Sequence, residues 1–557
     1  MKNEIIHEKV EFESFRSLLN FAAEKYGAKT AFSYKSFPHD KERIKKSYID
    51  LQADARALGS FLISQGMKGK HVAIVAKLSY SWVVAYFAAL SSGAVLVPLD
   101  RDWKADDLAD TAKNADVSMI FYDADLSEKA NAMSASVGGC PTYSTDFSEL
   151  LLEGARIYNE NPSIYDENEL EPKKLSLLVF TSGTTGKGKG VMLTQRSLLS
   201  DMSAAYPYID FGARTVGILP PHHTYGSNIM FTGHVMIGSE VYISSGLKYI
   251  TKEFSEIKPT HLILVPLYLE TIYRKIRTTL NDKGIYKKVM RFIKISNCLR
   301  KIGIDIRKKA FAKIREIFGG SCKMVVSGGA PLSTDIFDFY EGIGISILNG
   351  YGITECSPII AVNHSRSNVR GSVGPALEVN EVKIMDPNEN GEGEICVRGD
   401  NVMLGYYKNE EATEEAIMPD GFFKTGDYGK ISSDGKIFIT GRSKNLIILS
   451  NGKNVYPEEI ESALSSAPAL LDVIVYEGQS KRGISENKIV AEIYPDYELL
   501  KKRGIEDAYA HFKKFVDDYN RDAVPYKKIG LIKIRETEFP KNTLRKIKRF
   551  ELDMSIE

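Results

Sequence analysis

The segment 181–190 brings together the groups that proteins use to bind phosphate. Its sequence is Thr-Ser-Gly-Thr-Thr-Gly-Lys-Gly-Lys-Gly, and it follows an apolar run, 177–180, that is typical of a buried strand. Glycines let several backbone N–H groups converge on one anion, hydroxyls add donors, and lysines add positive charge. The segment therefore predicts a polyphosphate-binding loop. Its candidate binding residues are Thr181, Ser182, Gly183, Thr184, Thr185, Gly186 and Lys189.

A kinase-type phosphate loop is the first alternative, because residues 183–189 fit the spacing G-x-x-x-x-G-K. That motif requires Ser or Thr at the next position to reach a magnesium ion, and it opens a helix. Here Gly190 follows, and residues 191–194 are typical of a strand. The pattern therefore disfavours a kinase or ATPase loop. A flexible, glycine-rich surface turn is the remaining structural alternative.

The chain resembles the adenylate-forming superfamily, which includes acyl-CoA synthetases, luciferases and the adenylation domains of peptide synthetases. The loop 181–190 is similar to the phosphate loop of that superfamily, and four more segments occur in its order and at its spacing. These segments are 350–355 (Gly-Tyr-Gly-Ile-Thr-Glu), 425–427 (Thr-Gly-Asp), 441–445 (Gly-Arg-Ser-Lys-Asn) and 540–549. The resemblance spans nearly the whole chain.

The resemblance implies that the segment 350–355 binds Mg·ATP. Tyr351 would stack on adenine, Thr354 would contact the α-phosphate, and Glu355 would hold Mg²⁺ together with Thr184. Each role suits the residue, since rings stack on bases and a hard cation prefers carboxylate oxygen. Without the phosphate loop, an aromatic surface loop with a solvated glutamate would be an equal alternative.

Three more residues complete the implied nucleotide site. Asp427 would accept hydrogen bonds from the ribose hydroxyls, with Arg442 on the same side, although a turn aspartate has the same local sequence. Lys546 matches the lysine that the family uses to bind the carboxylate and α-phosphate, and a solvated basic tail is its alternative. Two positions depart from the common family pattern. These are Arg545 in place of glycine, a variant of some fatty-acid members, and Gly188 in place of proline.

His223 falls at the position of the family's substrate-gating aromatic residue, whereas His222 is interpreted as structural. Amino-acid adenylation domains carry an aspartate in this region to pair the substrate ammonium, and the matching stretch has none. The implied substrate is therefore a plain carboxylate. Small residues would let an acyl chain pass close to the backbone, or form only a tight turn. These acyl-pocket candidates are Gly328, Gly329 and Ala330, and the candidate catalytic residues are Lys546, Thr354, Glu355 and His223.

The resemblance implies a reaction in two halves. A carboxylate and Mg·ATP give acyl-AMP and pyrophosphate, and the thiol of CoA, the co-substrate, then displaces AMP. Between the halves the family rotates a small C-terminal domain about a hinge, which maps to Lys444, and Gly452 would line the pantetheine passage. An acyl-carrier-protein ligase shares these residues. A non-catalytic adenylate-sensing or membrane-scaffold protein is a second alternative, and intact Glu355, Asp427 and Lys546 argue against it.

The elements that must position these residues alternate between helices and nearly continuous apolar strands over about the first four hundred residues. This alternation predicts parallel sheets covered on both faces. Shorter strands dominate after about residue 392. We therefore predict an α/β chain with a large N-terminal domain, 1–441, of parallel or doubly wound sheets covered by helices. A small, mobile α+β domain, 442–557, would follow, as in the adenylate-forming fold.

The composition limits the partners and the cellular compartment that we expect for this protein. Lys and Arg number 73 and Asp and Glu 72, so no overall field favours nucleic acid, and we expect none as a partner. The five cysteines lack zinc-ligand spacing and indicate a reducing compartment. The N-terminus lacks an apolar signal region, so we expect a cytoplasmic protein. The uncharged stretch 78–99 fits strand, helix and strand better than a membrane span, and 153–174 is predicted as an exposed connector.

The segment 274–315 is strongly basic, with 15 Lys and Arg against two acids. Its apolar residues at helical spacing are Ile295, Leu299, Ile302 and Ile306. This pattern predicts a basic amphipathic segment that rests on anionic lipid at the inner face of the membrane. A solvated basic helix pair packed on the core is the alternative. With the segment 449–459, this insert resembles the bacterial long-chain fatty-acid group, which implies a long-chain fatty acid as substrate.

Overall fold

Helices and strands alternate through the first two hundred residues, as the sequence predicts. The structure, a computed structural model, describes residues 4–181, 188–449, 453–479, 485–541 and 547–556. The helices of this part are α1 (Phe15–Tyr26), α2 (Tyr48–Ser64), α3 (Tyr80–Ser92), α4 (Ala105–Asn114), α5 (Ser127–Ser136), α6 (Ser148–Glu160), α7 (Ser163–Asp166) and α8 (Gln195–Ala205). The strands are β1 (Thr30–Tyr34), β2 (Ile44–Ser47), β3 (His71–Val75), β4 (Val95–Leu99), β5 (Val117–Tyr122), β6 (Thr142–Ser144), β7 (Leu175–Phe180) and β8 (Gly190–Thr194).

The middle of the chain adds further strands and a long basic helical region. Its α-helices are α9 (His234–Ile237), α10 (Ile250–Ile257), α11 (Pro266–Asp282), α12 (Tyr286–Lys301), α13 (Arg307–Ala310), α14 (Ala312–Arg315), α15 (Thr334–Gly342) and α16 (Glu410–Ala416). Its strands are β9 (Arg214–Gly217), β10 (Glu240–Ile243), β11 (His261–Leu264), β12 (Met324–Ser327), β13 (Ser346–Gly352), β14 (Ile359–Val362), β15 (Asn380–Met385), β16 (Gly393–Gly399), β17 (Gly405–Tyr406), β18 (Phe423–Ile431) and β19 (Ile437–Arg442).

A seven-stranded sheet forms the first layer, in the order β17-β8-β7-β4-β3-β5-β6. The strands β3 to β7 run parallel to their neighbours, and β8 and β17 add an antiparallel edge. Every residue of β3 and β4 is buried, which explains their continuous apolar sequences. The uncharged stretch 78–99 is helix α3 followed by β4. Ser79 accepts a hydrogen bond from the Trp82 N–H at the start of α3, and left-handed Gly93 ends the helix.

Three four-stranded sheets surround this layer. One has the order β11-β12-β13-β14, and its first three strands are parallel. The second is β2-β1-β10-β9, and the third, β15-β16-β18-β19, is antiparallel. Parallel sheets covered by helices confirm the predicted α/β class. Since β12 and β13 run parallel, the segments that follow their carboxyl ends lie at one edge.

The predicted exposed connector, 153–174, is wrong in its first half. Residues up to Glu160 belong to α6, and Gly154 of that helix lies against α2. A Cβ atom added at Gly154 would lie 1.9 Å from the Ala57 carbonyl oxygen, so the helices approach as closely as their backbones allow. The polar residues of this stretch lie on the outer face of a surface helix, and such a composition resembles that of a loop.

The C-terminal part builds its own core. Its helices are α17 (Pro457–Leu464), α18 (Tyr497–Lys502) and α19 (Ala508–Asp522), and its strands are β20 (Ile447–Ile448), β21 (Asn454–Val455), β22 (Leu470–Gln479), β23 (Ser485–Pro495) and β24 (Ile529–Ile534). Buried residues from Ile447 to Ile529 form a hydrophobic cluster of their own. The α+β arrangement agrees with the predicted class. The boundary between 441 and 442 remains a prediction.

The basic segment 274–315 differs from its predicted form. Helix α12 ends at Lys301, so the apolar spacing through Ile302 and Ile306 does not continue in one helix. Helix α12 buries Ile293 and Ser296 instead, while Ile295 and Ile302 are 53% and 72% exposed. None of the helices in the described part of the chain combines the length and the apolarity that crossing a membrane requires.

Candidate active site

Tyr351, Asp427 and Arg442 lie in direct contact, although they belong to two sheets. Tyr351 is near the carboxyl end of β13, and its hydroxyl donates a hydrogen bond to Asp427 Oδ2 at 2.8 Å. Asp427 and Arg442 are register partners on β18 and β19, and Arg442 Nε lies 3.0 Å from Asp427 Oδ1. Each oxygen of one carboxylate therefore faces a different donor.

The Asp427 carboxylate is buried and the Arg442 side chain is open to solvent, with exposed fractions of 5% and 58%. Burial, with the Asp427 charge, raises the pKa of Tyr351, so the phenol stays a neutral donor. The same carboxylate raises the pKa of Arg442. The cluster thus presents an aromatic ring beside the Asp427 carboxyl group, which are the groups that a base and a ribose diol would use.

Glu355 is held beside the strand that leaves the phosphate loop. It lies in a 3-10 turn, Thr354–Cys356, and the Tyr406 hydroxyl donates to Glu355 Oε1 at 2.9 Å. Tyr406 pairs with Val191 of β8, and Lys189 Nζ lies 4.6 Å from the centroid of the Tyr406 ring. The sequence analysis missed Tyr406, because only strand pairing brings it to Glu355.

The environment of Glu355 suits a cation that arrives with its own ligands. Burial raises the pKa of this carboxyl, while the Tyr406 hydrogen bond and the Arg442 charge oppose that rise. Within the described residues, no group of three or more His, Cys, Asp or Glu could hold a metal by itself. Magnesium usually binds through one or two carboxylates plus water and substrate phosphates, so a single carboxylate beside a phosphate loop fits it.

The phosphate loop is closed at its base. The Thr181 N–H donates to the Lys189 carbonyl oxygen at 3.0 Å. A Cβ atom added at Gly188 would lie 2.3 Å from the Thr181 carbonyl oxygen, so this backbone accepts only glycine there. Several candidate residues lie outside the described part of the chain, namely Ser182, Gly183, Thr184, Thr185, Gly186, Gly452 and Lys546.

A buried polar network holds the turn that carries Thr354 and Glu355. The Asp201 side chain, fully buried on α8, accepts hydrogen bonds from the Ile359 N–H at 3.2 Å and from Asn401 Nδ2 at 3.0 Å. Burial raises the pKa of Asp201 well above its ordinary range. Asn228 Nδ2 donates to the Ser357 carbonyl oxygen at 2.7 Å. Sequence analysis found none of these partners, since an aspartate among the other polar residues of α8 gives no local signal of a buried contact.

His223 lies next to a second histidine just before a π-helix, Tyr225–Gly233. The ring centroids of His222 and His223 are 4.2 Å apart, and His222 Nε2 lies 3.6 Å from Asp100 Oδ2 at the end of β4. Burial lowers the pKa of His222, and the Asp100 charge opposes this shift. A neutral His222 packed beside His223 agrees with its structural interpretation.

Tyr225 connects the π-helix to the acyl-pocket candidates. Its hydroxyl donates to the Leu264 carbonyl oxygen at 3.0 Å, and a Cβ atom at Gly328 would lie 3.3 Å from the tyrosine ring. Gly329 and Ala330 are exposed beyond it. Asn228 of the same π-helix contacts Ser357, so the region after His223 adjoins both Gly328 and the Glu355 turn. π-Helical segments occur frequently at functional sites.

Lys444, the candidate hinge, is exposed in a 3-10 turn, Ser443–Asn445, between β19 and β20. Arg442, which contacts Asp427, is the last residue of β19. The structure therefore brings together Tyr351, Asp427, Arg442 and the Glu355 turn, and it places Lys444 directly after this group.

The family model described as AMP-binding enzyme matches residues 19–407. The long-chain-fatty-acid–CoA ligase FadD15 of Mycobacterium bovis is 30% identical over 76% of this chain and 73% of its own length. The chloroplastic long-chain-fatty-acid–[acyl-carrier-protein] ligase AEE15 of Arabidopsis thaliana is 27% identical over 91% and 79%. O-succinylbenzoate coenzyme A synthetase (MenE) of Bacillus subtilis, in complex with ATP and magnesium ion, matches with a TM-score of 0.72 and 21% identity, over 96% of this chain and 98% of that one.

Replacing Tyr406 by phenylalanine removes the hydroxyl that donates to Glu355. A hydrogen bond to a charged group contributes about 1.5–3 kcal/mol, so we expect Mg·ATP to bind roughly tenfold more weakly. The hydrogen bond from Tyr406 lowers the pKa of Glu355, so its removal should raise that pKa and leave more of the carboxyl group protonated at acidic pH. The loss of Mg·ATP affinity should therefore be larger at acidic than at neutral pH. Equilibrium dialysis with Mg·ATP across that pH range measures both effects.

The matched control is Tyr407→Phe, since the Tyr407 hydroxyl donates to Asp116 instead, at 2.6 Å. This variant should bind Mg·ATP as the parent protein does. Equal weakening in both variants would show that the pairing of β17 with β8 matters and the contact with Glu355 does not.

Proposed function

Because the chain belongs to the AMP-binding enzyme family, we propose that it activates a carboxylic acid with ATP and transfers the acyl group to a thiol. The contact of Tyr351 with Asp427 beside Arg442 carries this proposal. A stacking ring and a ribose-binding carboxylate at hydrogen-bond distance from each other would seat one nucleoside. The Glu355 turn and the loop 181–190 would then receive its phosphates.

In the first half, an oxygen of the acid attacks the α-phosphorus, and the bond to the β-phosphate oxygen breaks to release pyrophosphate. Negative charge gathers at the α-phosphoryl group, so positioning and electrostatic stabilisation supply most of the rate. Magnesium, bound by Glu355 and Thr184, would neutralise phosphate charge. Thr354 and Lys546 would orient the α-phosphate and the carboxylate, and Tyr351 and Asp427 would fix the nucleoside.

In the second half, the thiol sulfur attacks the acyl carbonyl carbon, the bond to AMP breaks, and the thiol proton is released. The pantetheine arm would enter along Gly452 after the C-terminal domain, 442–557, has rotated about Lys444. The exposed turn at Ser443–Asn445 supports this hinge, because a few backbone dihedrals between two strands can absorb a rotation.

We assign a long-chain fatty acid as the substrate and CoA as the acceptor. The names of the relatives support the acid, as do the π-helix that follows His223 and the approach of Gly328 to Tyr225 of that helix. The relative AEE15 is named an acyl-carrier-protein ligase, so a carrier-protein thiol is the second candidate acceptor. A non-catalytic membrane-scaffold role would leave the Tyr351, Asp427 and Glu355 cluster without a use.

The exposed side of the basic segment 274–315 would contact an anionic membrane that holds the fatty acid, with the protein in the cytoplasm. The large apolar side chains exposed there, among lysines and arginines, are Phe292, Ile295, Ile302 and Ile304. Apolar side chains within a positive field are the combination that binds an anionic lipid surface. Arg274 and Arg277 do not belong to this surface, because their guanidinium groups donate to carbonyls of the C-terminal part.

The proposed activity is tested by measuring pyrophosphate release from a series of carboxylic acids, with and without thiol. Release should require ATP and should rise steeply from short to long fatty acids. Thioester should form with CoA. Product with holo-carrier protein alone would select the second acceptor, and no ATP–pyrophosphate exchange with any acid would overturn the enzyme assignment.

Two substitutions should separate the halves of the reaction. Lys546→Ala should lose acyl-AMP formation by about two to three orders of magnitude, as for a lost transition-state donor, yet keep thiolysis of supplied acyl-AMP. Lys444→Pro should retain adenylation and lose thioester formation, because proline fixes φ at the hinge. Each half is assayed separately for both variants. Loss of both halves in Lys546→Ala, or normal thioester output in Lys444→Pro, contradicts the assignment concerned.

Binding to vesicles that contain anionic phosphatidylglycerol should weaken with salt and with loss of the apolar side chains. The variant Ile295→Ser should bind several-fold more weakly in a sedimentation assay, since burying an exposed isoleucine contributes about 1.5–3 kcal/mol. Leu152→Ser is the control, because Leu152 is 74% exposed on α6, outside the basic segment. Salt-insensitive binding, or equal loss in both variants, argues against this surface.

A further inference from the structure

A cleft of about 1000 Å³ lies at the end of the sheet β11-β12-β13-β14 opposite to the candidate active site. Lys323 and Ser346 line it, and they precede or begin the parallel strands β12 and β13. Gly328 and Tyr351 lie at the other, carboxyl ends of the same strands. The cleft is therefore a separate site, and its volume is that of a small-molecule pocket.

The walls of the cleft carry an excess of positive charge. Six cationic side chains line it against three carboxylates, Asp335, Asp338 and Glu341. The cationic side chains are Arg277, Lys294, Arg300, Arg307, Lys323 and Arg370.

Three of these cationic side chains already form an ion pair or a hydrogen bond with the protein. Arg370 pairs with Asp338 at 2.8 Å, and Arg307 forms an ion pair with Asp305. Arg277 donates to the Ser466 carbonyl oxygen at 2.5 Å. The Glu341 carboxylate is used as well, because it accepts hydrogen bonds from the Ser346 hydroxyl and the Ile347 N–H.

The other three cationic side chains of the cleft are those of Lys294, Arg300 and Lys323. Considering only the ranges of the chain that the structure describes, none of these three lies within 4.0 Å of a carboxylate oxygen. They come from two elements, the helix α12 and the segment just before β12, and they line one open cleft. Three cationic side chains that form no ion pair with the described residues and line one cleft form a site for an anion.

We propose that this cleft binds a phosphate-bearing small anion. Arginine forks and lysine ammonium groups are the side chains that recognise phosphate oxygens, and both kinds line this cleft. A concave space between two parts of the chain excludes a flat bilayer, so the ligand is a soluble phosphate compound.

The anion would also connect the two parts of the chain. Ser466, Ala467 and Phe515 complete the wall from the C-terminal part. The Ser466 hydroxyl donates to Asp335 Oδ2 at 3.1 Å, so the wall depends on the present domain orientation. A ligand that binds one arrangement better shifts the population towards it. Occupancy therefore favours this orientation, a consequence that rests on the proposed domain rotation, whereas binding itself does not.

Binding is tested by titrating the full chain with inorganic pyrophosphate in a calorimeter, with the nucleotide site filled by saturating magnesium and an α,β-methylene analogue of ATP. One site should remain. Arg300→Glu and Lys294→Glu should each weaken it about tenfold or more, since each inverts a charge-assisted contact. Lys301→Glu, the same charge change on the neighbouring residue outside the cleft, should leave the affinity within about twofold.

The absence of a remaining site, or equal weakening by Lys301→Glu, overturns the proposal. Unfolding midpoints of all variants verify that each protein is folded before titration. These results do not depend on turnover. A protein that binds pyrophosphate here but fails ATP–pyrophosphate exchange would keep the cleft and lose the proposed function.

The effect of the anion on the orientation of the C-terminal part is tested with cysteines at the contact between that part and the rest of the chain. Asp335→Cys and Ser466→Cys are introduced together with Cys298→Ser, which removes an exposed thiol on α12. Oxidised glutathione should join the pair several-fold faster with pyrophosphate present. This acceleration should disappear when Arg300→Glu is added. An unchanged cross-linking rate overturns the link between occupancy and orientation.

Discussion

The turn that carries Thr354 and Glu355 is held by the Asp201 carboxylate, which does not reach solvent. Asp201 accepts the Ile359 N–H, and Asn401 connects the same carboxylate to the Ile359 carbonyl oxygen. A buried polar group is costly unless it is hydrogen-bonded, so this network is stable in few arrangements. That restriction fixes the backbone from which Glu355 projects. The rest of the site is built around this fixed turn.

The two carboxyl groups of the site, Asp427 and Glu355, lie in different environments. Asp427 is engaged on both oxygens, by Tyr351 and by Arg442, and so has a defined orientation. Glu355 has one engaged oxygen, and burial raises its pKa. A carboxylate that is fully paired suits recognition of a neutral diol, whereas a partly desolvated one gains more from a nearby cation. The two environments thus divide nucleoside binding from phosphate and metal binding.

The boundary between the two parts of the chain is polar on both sides of the hinge. Near the site, Arg442 contacts Asp427 just before Lys444, and on the far side Arg274 and Arg277 donate to carbonyls of the C-terminal part. Polar contacts of this kind are more easily exchanged than an apolar interface, which suits a domain that moves. The cleft proposed to bind a phosphate compound is lined by Arg277 and by residues of α12. An anion bound there would act on the charges at this boundary.

Sequence alone identified the α/β class and the family, and it named the candidate site residues. The superfamily resemblance is confirmed by the match over residues 19–407, because short motifs at fixed spacing survive at low overall identity. Nearly continuous apolar runs predicted buried parallel strands, because the burial of strands such as β3 and β4 on both faces leaves a local signature. The polar helix α6 was missed, since its composition resembles that of a loop.

Only the tertiary structure decided which groups meet. Tyr406 reaches Glu355 across 51 residues of sequence, and Asp201 reaches Ile359 across 158. Neither contact has a local periodicity, because strand pairing and helix packing create both. The same reason explains α12, which packs through Ile293, whereas Ile295 and Ile302 of the predicted apolar stripe are exposed. Residue types set the possible chemistry, and long-range packing determined which of it the site contains.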